Sequence, residues 1–190
     1  MPVVNGVSHW VPPAEEHALV RDMTVGQLLD EAVERGPQRE ALVYCAYEDR
    51  GLSVRWTYEE FRARSLQVAR ALIAAGIGHG ERVAVWATNV PEWLLLEFGA
   101  AYCGVVLVPI NPLLRTHEVA YVLRTAGASA CFLQPENRGS SLWDMLDEAA
   151  RDIPTLRLRV AIGQAPDDKG LGWDDWLARG AGVDDATLQA

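Results

Sequence analysis

From Arg82 onward the sequence alternates short, almost wholly apolar runs with longer segments of helical length. This rhythm restricts the possible folds more than any other feature. Residues 82–87, 105–110 and 128–133 are apolar at nearly every position, the composition of strands covered on both faces rather than of strands with one wet side. Residues 92–103 and 116–125 lie between them with helical spacing. So does a segment opened by Ser141 with Asp144 that carries Leu142, Met145, Leu146 and Ala149, and residues 156–162 close the series as a fourth strand. The alternation predicts an α/β fold: a doubly wound, mostly parallel sheet with helices on both faces and right-handed crossovers. Gly76, Gly104 and Gly127 stand where the helices must stop.

Upstream, Thr24 with Gln27 and Thr57 with Glu60 have the spacing of capping boxes. The first opens a helix with Val25, Leu28, Leu29, Ala32 and Val33 as its apolar stripe and Gly36-Pro37 as its stop. The second opens a helix with Phe61, Ser65, Val68, Ala69, Leu72 and Ile73 on one face and Arg62, Arg64, Gln67 and Arg70 on the other. Residues 41–47 and 52–56 predict a β-hairpin turning at Glu48-Asp49-Arg50-Gly51. Asn89 is placed to cap helix 92–103, with Pro91 in its first turn, and Thr116 to cap the next. The chain then divides into an extended arm (1–22), an α/β subdomain (23–162) and an acidic Gly/Asp-rich linker (163–190), in which Trp173, Trp176 and Leu177 form one short docked helix at most.

Charge removes several function classes. Lys and Arg number 17 against 26 Asp and Glu, a net −9 that disfavours both nucleic-acid binding through phosphates and docking on an anionic membrane. Cys45, Cys103 and Cys131 lack zinc-ligand spacing and sit in apolar runs, which predicts buried thiols. His9, His17, His79 and His117 are scattered, so no metal site is expected. With no leader pattern and no apolar run of about 20 residues to span a membrane, the expected setting is cytoplasmic.

Gly76-Ile77-Gly78-His79-Gly80 follows a helix and precedes a strand, the reverse of a dinucleotide-binding turn. The single lysine, Lys169, follows Asp167-Asp168 and belongs to no phosphate loop; no Gly-x-Ser-x-Gly elbow occurs. In a parallel sheet, ligands sit beyond the carboxyl ends of the strands. That selects the loops 88–91, 111–116 and 134–140, with Asn89, Asn111 and Arg115 as candidate ligand-side residues and His117 beside them. None of these loops holds a nucleophile with a base beside it, or paired carboxylates. No catalytic residue and no metal ligand is therefore assigned.

Several blocks in order carry a resemblance. Arg55-Trp56-Thr57-Tyr58-Glu59-Glu60-Phe61 resembles the opening block of the acyl-adenylate-forming (AMP-binding) ligases. Residues 74–85, around Gly76-Ile77-Gly78-His79-Gly80-Glu81, are similar to that family's helix–turn–strand segment, and Asn89-Val90-Pro91-Glu92-Trp93 to its Asn-x-x-Glu-Trp element. Residues 99–112, ending in Pro109-Ile110-Asn111-Pro112, resemble its second block. Glu118-Val119-Ala120-Tyr121-Val122-Leu123 continues the likeness and points to the acyl-CoA synthetase branch.

The resemblance implies the N-terminal subdomain of the adenylate-forming ligase fold and a role in fatty-acid metabolism. Such enzymes activate a carboxylic acid with ATP to an acyl-adenylate, releasing pyrophosphate, and many pass the acyl group to coenzyme A. The family's phosphate loop, its aromatic-x-Glu element, its ribose-binding Asp and the lysine of its C-terminal domain have no counterpart in the sequence, so no family catalytic residue carries over. The implication is a fragment inactive alone, whose whole would use ATP, Mg²⁺ and CoA, none of them held by this chain. The expected partner is the remainder of the ligase, in cis or in trans, or a second copy. Helix 92–103 supports this expectation, because Trp93, Leu94, Leu95, Leu96, Phe98 and Tyr102 cannot all face one sheet. The alternative is a stand-alone, non-catalytic binding or regulatory module derived from the family.

Overall fold

A computed structural model describes residues 3–4, 7–8, 21–45 and 53–189. Strands β1 (Val3–Val4) and β2 (Val7–Ser8) pair antiparallel; the rest of the arm expected over 1–22 lies almost wholly outside the described residues. Helix α1 (Val25–Arg35) opens on the expected capping box: the Thr24 hydroxyl accepts the Gln27 N–H at 3.1 Å and the Gln27 side chain accepts the Thr24 N–H at 2.8 Å. Strands β3 (Glu40–Cys45) and β4 (Ser53–Thr57) form the antiparallel hairpin, its turn 48–51 lying outside the described residues. Thr57 and Glu60 repeat the reciprocal cap at 3.2 and 2.9 Å and open α2 (Tyr58–Ala74).

The α/β portion follows as β5 (Arg82–Trp86), α3 (Pro91–Tyr102), β6 (Val106–Ile110), α4 (Thr116–Ala126) and β7 (Ala130–Leu133). A two-strand ribbon, β8 (Glu136–Asn137) with β9 (Ser140–Ser141), then leads into α5 (Leu142–Ala149), β10 (Leu158–Ala161), β11 (Leu171–Gly172), α6 (Trp173–Ala178) and α7 (Asp185–Gln189). Strands β11, β10, β7, β5 and β6 lie side by side in that order, every pair parallel. The four strands predicted from the apolar runs are all present and all parallel.

Alternation along the central strands separates two cores. Val83, Val85, Ala130, Phe132 and Val160 face α2, α3 and α6, where Val68, Leu72, Leu96, Ala100 and Trp176 meet them. Ala84, Trp86, Cys131, Leu133 and Ala161 face α4 and α5, against Val119, Leu123, Leu142 and Leu146. Helix α3 meets α1 and α2 as well as β6. A Cβ on Gly99 would lie 2.4 Å from Val68 Cγ1, so glycine is what lets α3 approach α2 this closely. The apolar girth of α3 is thus largely used inside the chain; Trp93, Leu94, Phe98 and Tyr102 are half-buried.

Some expectations change. In the α1 stripe only Leu29 is buried, while Val25 and Leu28 are 47% and 51% exposed: the helix rolls so that Gly26 takes the ring of Tyr102. Cys45 is exposed at the end of β3, and Cys131 alone of the three thiols is fully buried. Asn89 does not cap α3. Val90, in an extended conformation, is the N-cap and offers no side-chain acceptor, leaving Pro91 at the first turn. Thr116 is the first residue of α4 rather than its cap, a position held by Arg115.

The largest change is at 163–190, expected as a linker with at most one short docked helix: that helix, α6, is present, and more of the segment is built into the fold than expected. Leu171–Gly172 adds an edge strand to β10, and α6 turns Trp173 and Trp176 inward, 7% and 0% exposed. Their rings sit 6.3 and 4.7 Å from Phe132, edge to face. The 3₁₀ turn Arg179–Gly182 lies on α2 so closely that a Cβ on Gly180 would come within 2.6 Å of the Ala71 backbone nitrogen. Acidic composition describes only the outer face of this segment. Lys169 fastens it to α5, its Nζ 2.8 Å from Asp147 Oδ2, with Arg159 on the other carboxylate oxygen at 2.7 Å. Those two cations hold the Asp147 carboxyl down to about 2, Lys169 foremost.

At the amino ends of the strands, Glu81 accepts from the Ser129 hydroxyl at 2.6 Å, Arg157 at 2.9 Å and the Gly78 N–H at 3.1 Å. Its carboxyl is lowered to about 2: the Ser129 bond is the largest cause, burial opposes it, and the bonds of Arg157 and Gly78 add to it. A carboxylate lowered in the folded state adds stability that is full above its ordinary range and is lost as pH falls through the folded value. Glu81→Gln should therefore flatten the loss of urea stability between about pH 5 and pH 2. Trp176→Ala should destabilise the whole domain by about 3–5 kcal/mol in equilibrium urea unfolding; a residue in a solvated linker would change nothing measurable.

Candidate functional site

Chain order fixes where a ligand side can lie. From β5 the chain leaves to α3 on one face of the sheet, and from β7 to α5 on the other. Between neighbouring strands whose exits diverge in this way, the carboxyl ends leave a crevice, the usual ligand position in open α/β sheets. By topology that position falls here just beyond the paired strand ends Trp86 and Leu133.

The crevice is strapped. Gln134 follows β7 directly, and its side-chain oxygen accepts both the Thr88 N–H at 2.8 Å and the Thr88 hydroxyl at 2.9 Å; its own N–H reaches the Trp86 carbonyl at 3.2 Å. The loops after β6 and β7 are joined in turn. Arg115 Nη1 donates to Ser140 Oγ at 3.0 Å and Asn137 Nδ2 to the Pro112 carbonyl at 3.1 Å. Asn111 Oδ1 accepts the Leu113 N–H at 2.9 Å, closing an Asx turn, while its carbonyl accepts the Trp86 indole N–H at 3.1 Å. The ribbon turns at Arg138 and Gly139, both at positive φ (50° and 73°), the conformation of a tight hairpin turn.

The three candidate residues therefore divide. Asn111 and Arg115 share this rim, and both have structural bonds there. Asn89 lies apart, in a groove of about 360 Å³ between the β3–β4 hairpin and the start of α3, lined by Leu42, Val43, Tyr44, Pro91, Trp93 and Leu94. Sequence reading reached the loop 134–140 but not the role of Gln134. The signal was available in its position as the first polar residue after a wholly buried strand at the switch point.

Other chemistry is occupied or suppressed. The Gly76–Gly80 turn lies at the opposite, amino end of the sheet, and its Gly78 N–H already serves Glu81. Burial pushes the Cys103 thiol up to about 11 and the Cys131 thiol up to about 12, so neither is an available nucleophile. Lys169 is bound to Asp147. Among the described residues, no group of three or more His, Cys, Asp or Glu converges to hold a metal ion, and no helix is long and apolar enough to cross a membrane.

Known proteins match this chain in sequence and in fold. The family model described as "AMP-binding enzyme" covers residues 29–185. YngI of Bacillus subtilis (strain 168), an acyl-CoA synthetase by name, is 32% identical over 179 residues, spanning 87% of this chain and 32% of its own length. The mitochondrial medium-chain acyl-CoA ligase ACSF2 of Danio rerio is 33% identical over 146 residues, 77% of this chain and 23% of its own. Among solved structures, the N-terminal domain of FACL13 from Mycobacterium tuberculosis superposes with a TM-score of 0.66 at 27% identity, over 85% of this chain and 37% of that one. The chain thus spans about a third or less of the length of these two curated relatives. If the rim is held as described, Asn111→Ala should lower stability by about 0.5–1.5 kcal/mol, read from the urea midpoint at unchanged m-value.

Proposed function

The chain belongs to the AMP-binding enzyme family, and on that footing we propose that it is the N-terminal part of an ATP-dependent carboxylic acid–CoA ligase and that it forms no acyl-adenylate by itself. The observation that carries this reading is the match to acyl-CoA ligases over most of this chain but over only 32% and 23% of two of them. In the whole enzyme, the substrate carboxylate would attack the α-phosphorus of ATP and expel pyrophosphate; the CoA thiol would then displace AMP from the acyl carbon. ATP, Mg²⁺ and CoA are cofactors of that whole.

Adenylation needs donors arranged around the transferring phosphates and a metal to bridge them. At the carboxyl rim, the side chains of Gln134, Asn111 and Arg115 are engaged in holding loops together. The part played by this chain is then architectural: one wall of a catalytic domain, bringing the mouth of a parallel sheet and the Asn89 groove to the shared site. Carboxylate-dependent exchange of labelled pyrophosphate into ATP is expected to stay at background for the purified chain. It should appear on mixing with the remaining part of the ligase. Exchange by the chain alone, at a rate proportional to its concentration and insensitive to further purification, would refute the inactivity.

A further inference from the structure

Strand β6 has the composition of an interior strand and the position of an edge. All five of its residues, Val106-Leu107-Val108-Pro109-Ile110, are apolar, like those of the central strand β7. Yet β7 is completely buried, whereas on β6 only Ile110 is buried; Val106 is 49% exposed and Pro109 is exposed as well. Among the described residues β6 pairs with β5 alone. Leu113, 55% exposed, continues the apolar surface past its carboxyl end.

The backbone is directional too. The Val106 N–H points inward, donating to the Glu81 carbonyl at 2.8 Å, and the parallel register pairs Val106 with Arg82 through Ile110 with Trp86. Alternation then turns Leu107 and Pro109 outward. The free edge therefore offers the N–H and C=O of Leu107 and the C=O of Pro109, which has no N–H to leave unpaired. An open apolar edge is a template for pairing with another segment, and Pro109 confines that pairing to the stretch around Leu107.

We propose that the β6 edge, centred on Val106 and Leu107, is the surface on which the remainder of the ligase docks, adding backbone hydrogen bonds at Leu107 and covering Val106 and Leu113. The inference rests on the reading of this chain as part of a longer ligase. The occupant follows from length: the YngI relative has about two thirds of its sequence beyond the matched part, and that remainder must meet this subdomain somewhere. Helix α3, the surface that composition alone would nominate, is largely taken up by α1 and α2, with Trp93 and Leu94 left half-buried along the Asn89 groove. The β6 edge is where interior-strand composition remains uncovered.

The test makes the remainder of the ligase as a separate polypeptide and measures its association with this chain by sedimentation and pyrophosphate exchange. Val106→Arg should weaken association at least tenfold and reduce exchange in parallel, with its circular dichroism unchanged. Leu28→Arg, equally exposed but on α1, should do neither. A second readout avoids reliance on a folded arginine variant. In a Cys45→Ser background, the thiol of Val106→Cys should label rapidly in the chain alone and at least tenfold more slowly with the remainder bound. Exchange in the wild-type mixture that is insensitive to Val106→Arg, with labelling unprotected, overturns the interface and leaves the ligase reading standing. Equal loss from Leu28→Arg, or a β6-mediated homodimer that the remainder does not displace, also overturns it. Absence of both association and exchange in the wild-type mixture overturns the interface and the reading together.

Discussion

The structure depends on the double-sided burial of β5 and β7. Every residue from Val83 to Trp86 and from Ala130 to Leu133 is withdrawn from water, and because neighbouring side chains point to opposite faces, each strand commits alternate residues to separate cores. Shifting either strand by one residue would exchange the two sets: Phe132 would meet α4 and α5, and the small Cys131 would be left against Trp176. That penalty fixes register, register fixes which loops leave on which face, and the diverging exits after β5 and β7 set the crevice where they do.

The two ends of the sheet are fastened by different physics. At the amino end the ties are charged. Glu81 gathers Ser129, Arg157 and Gly78, and Arg82 Nε reaches the Ala126 carbonyl at 2.6 Å. At the carboxyl end they are mostly neutral and short-ranged: Thr88 to Gln134, Asn137 to Pro112, the Asn111 turn. Acid and salt act on the first set far more than on the second. The mouth of the sheet is therefore insulated from conditions that loosen its base.

Much of this was legible beforehand where local chemistry and tertiary packing agree. Both capping boxes stand as their Thr-x-x-Gln and Thr-x-x-Glu spacing predicts, and the apolar runs became parallel strands because a run without polar alternation has no wet face to offer. Reading failed where a residue's role is set across the fold. The α1 stripe assumed that Val25 and Leu28 had something to pack on, but Tyr102 seats on Gly26 instead. In segment 163–190 the docked helix of Trp173 and Trp176 is legible, but the edge strand Leu171–Gly172 and the 3₁₀ turn on α2 are not, because their partners lie in β10 and α2. At the rim, Asn111 and Arg115 were found as loop residues beside a strand end, while Gln134 depends on a partner 46 residues away. No short motif signals such a pair.

The late position of Trp173 and Trp176 also orders events in time. Strands β5, β6 and β7 and the helices between them can assemble as they are synthesised, but one face of Phe132 has no cover until α6 has been made. At roughly 5–20 residues per second, the ribosome adds the stretch from Ile162 to Trp176 in about one to three seconds. For that interval the nascent chain carries a sheet still gaining its edge strand β11 and with an open aromatic face, the moment at which a chaperone or a neighbouring nascent chain has most to bind.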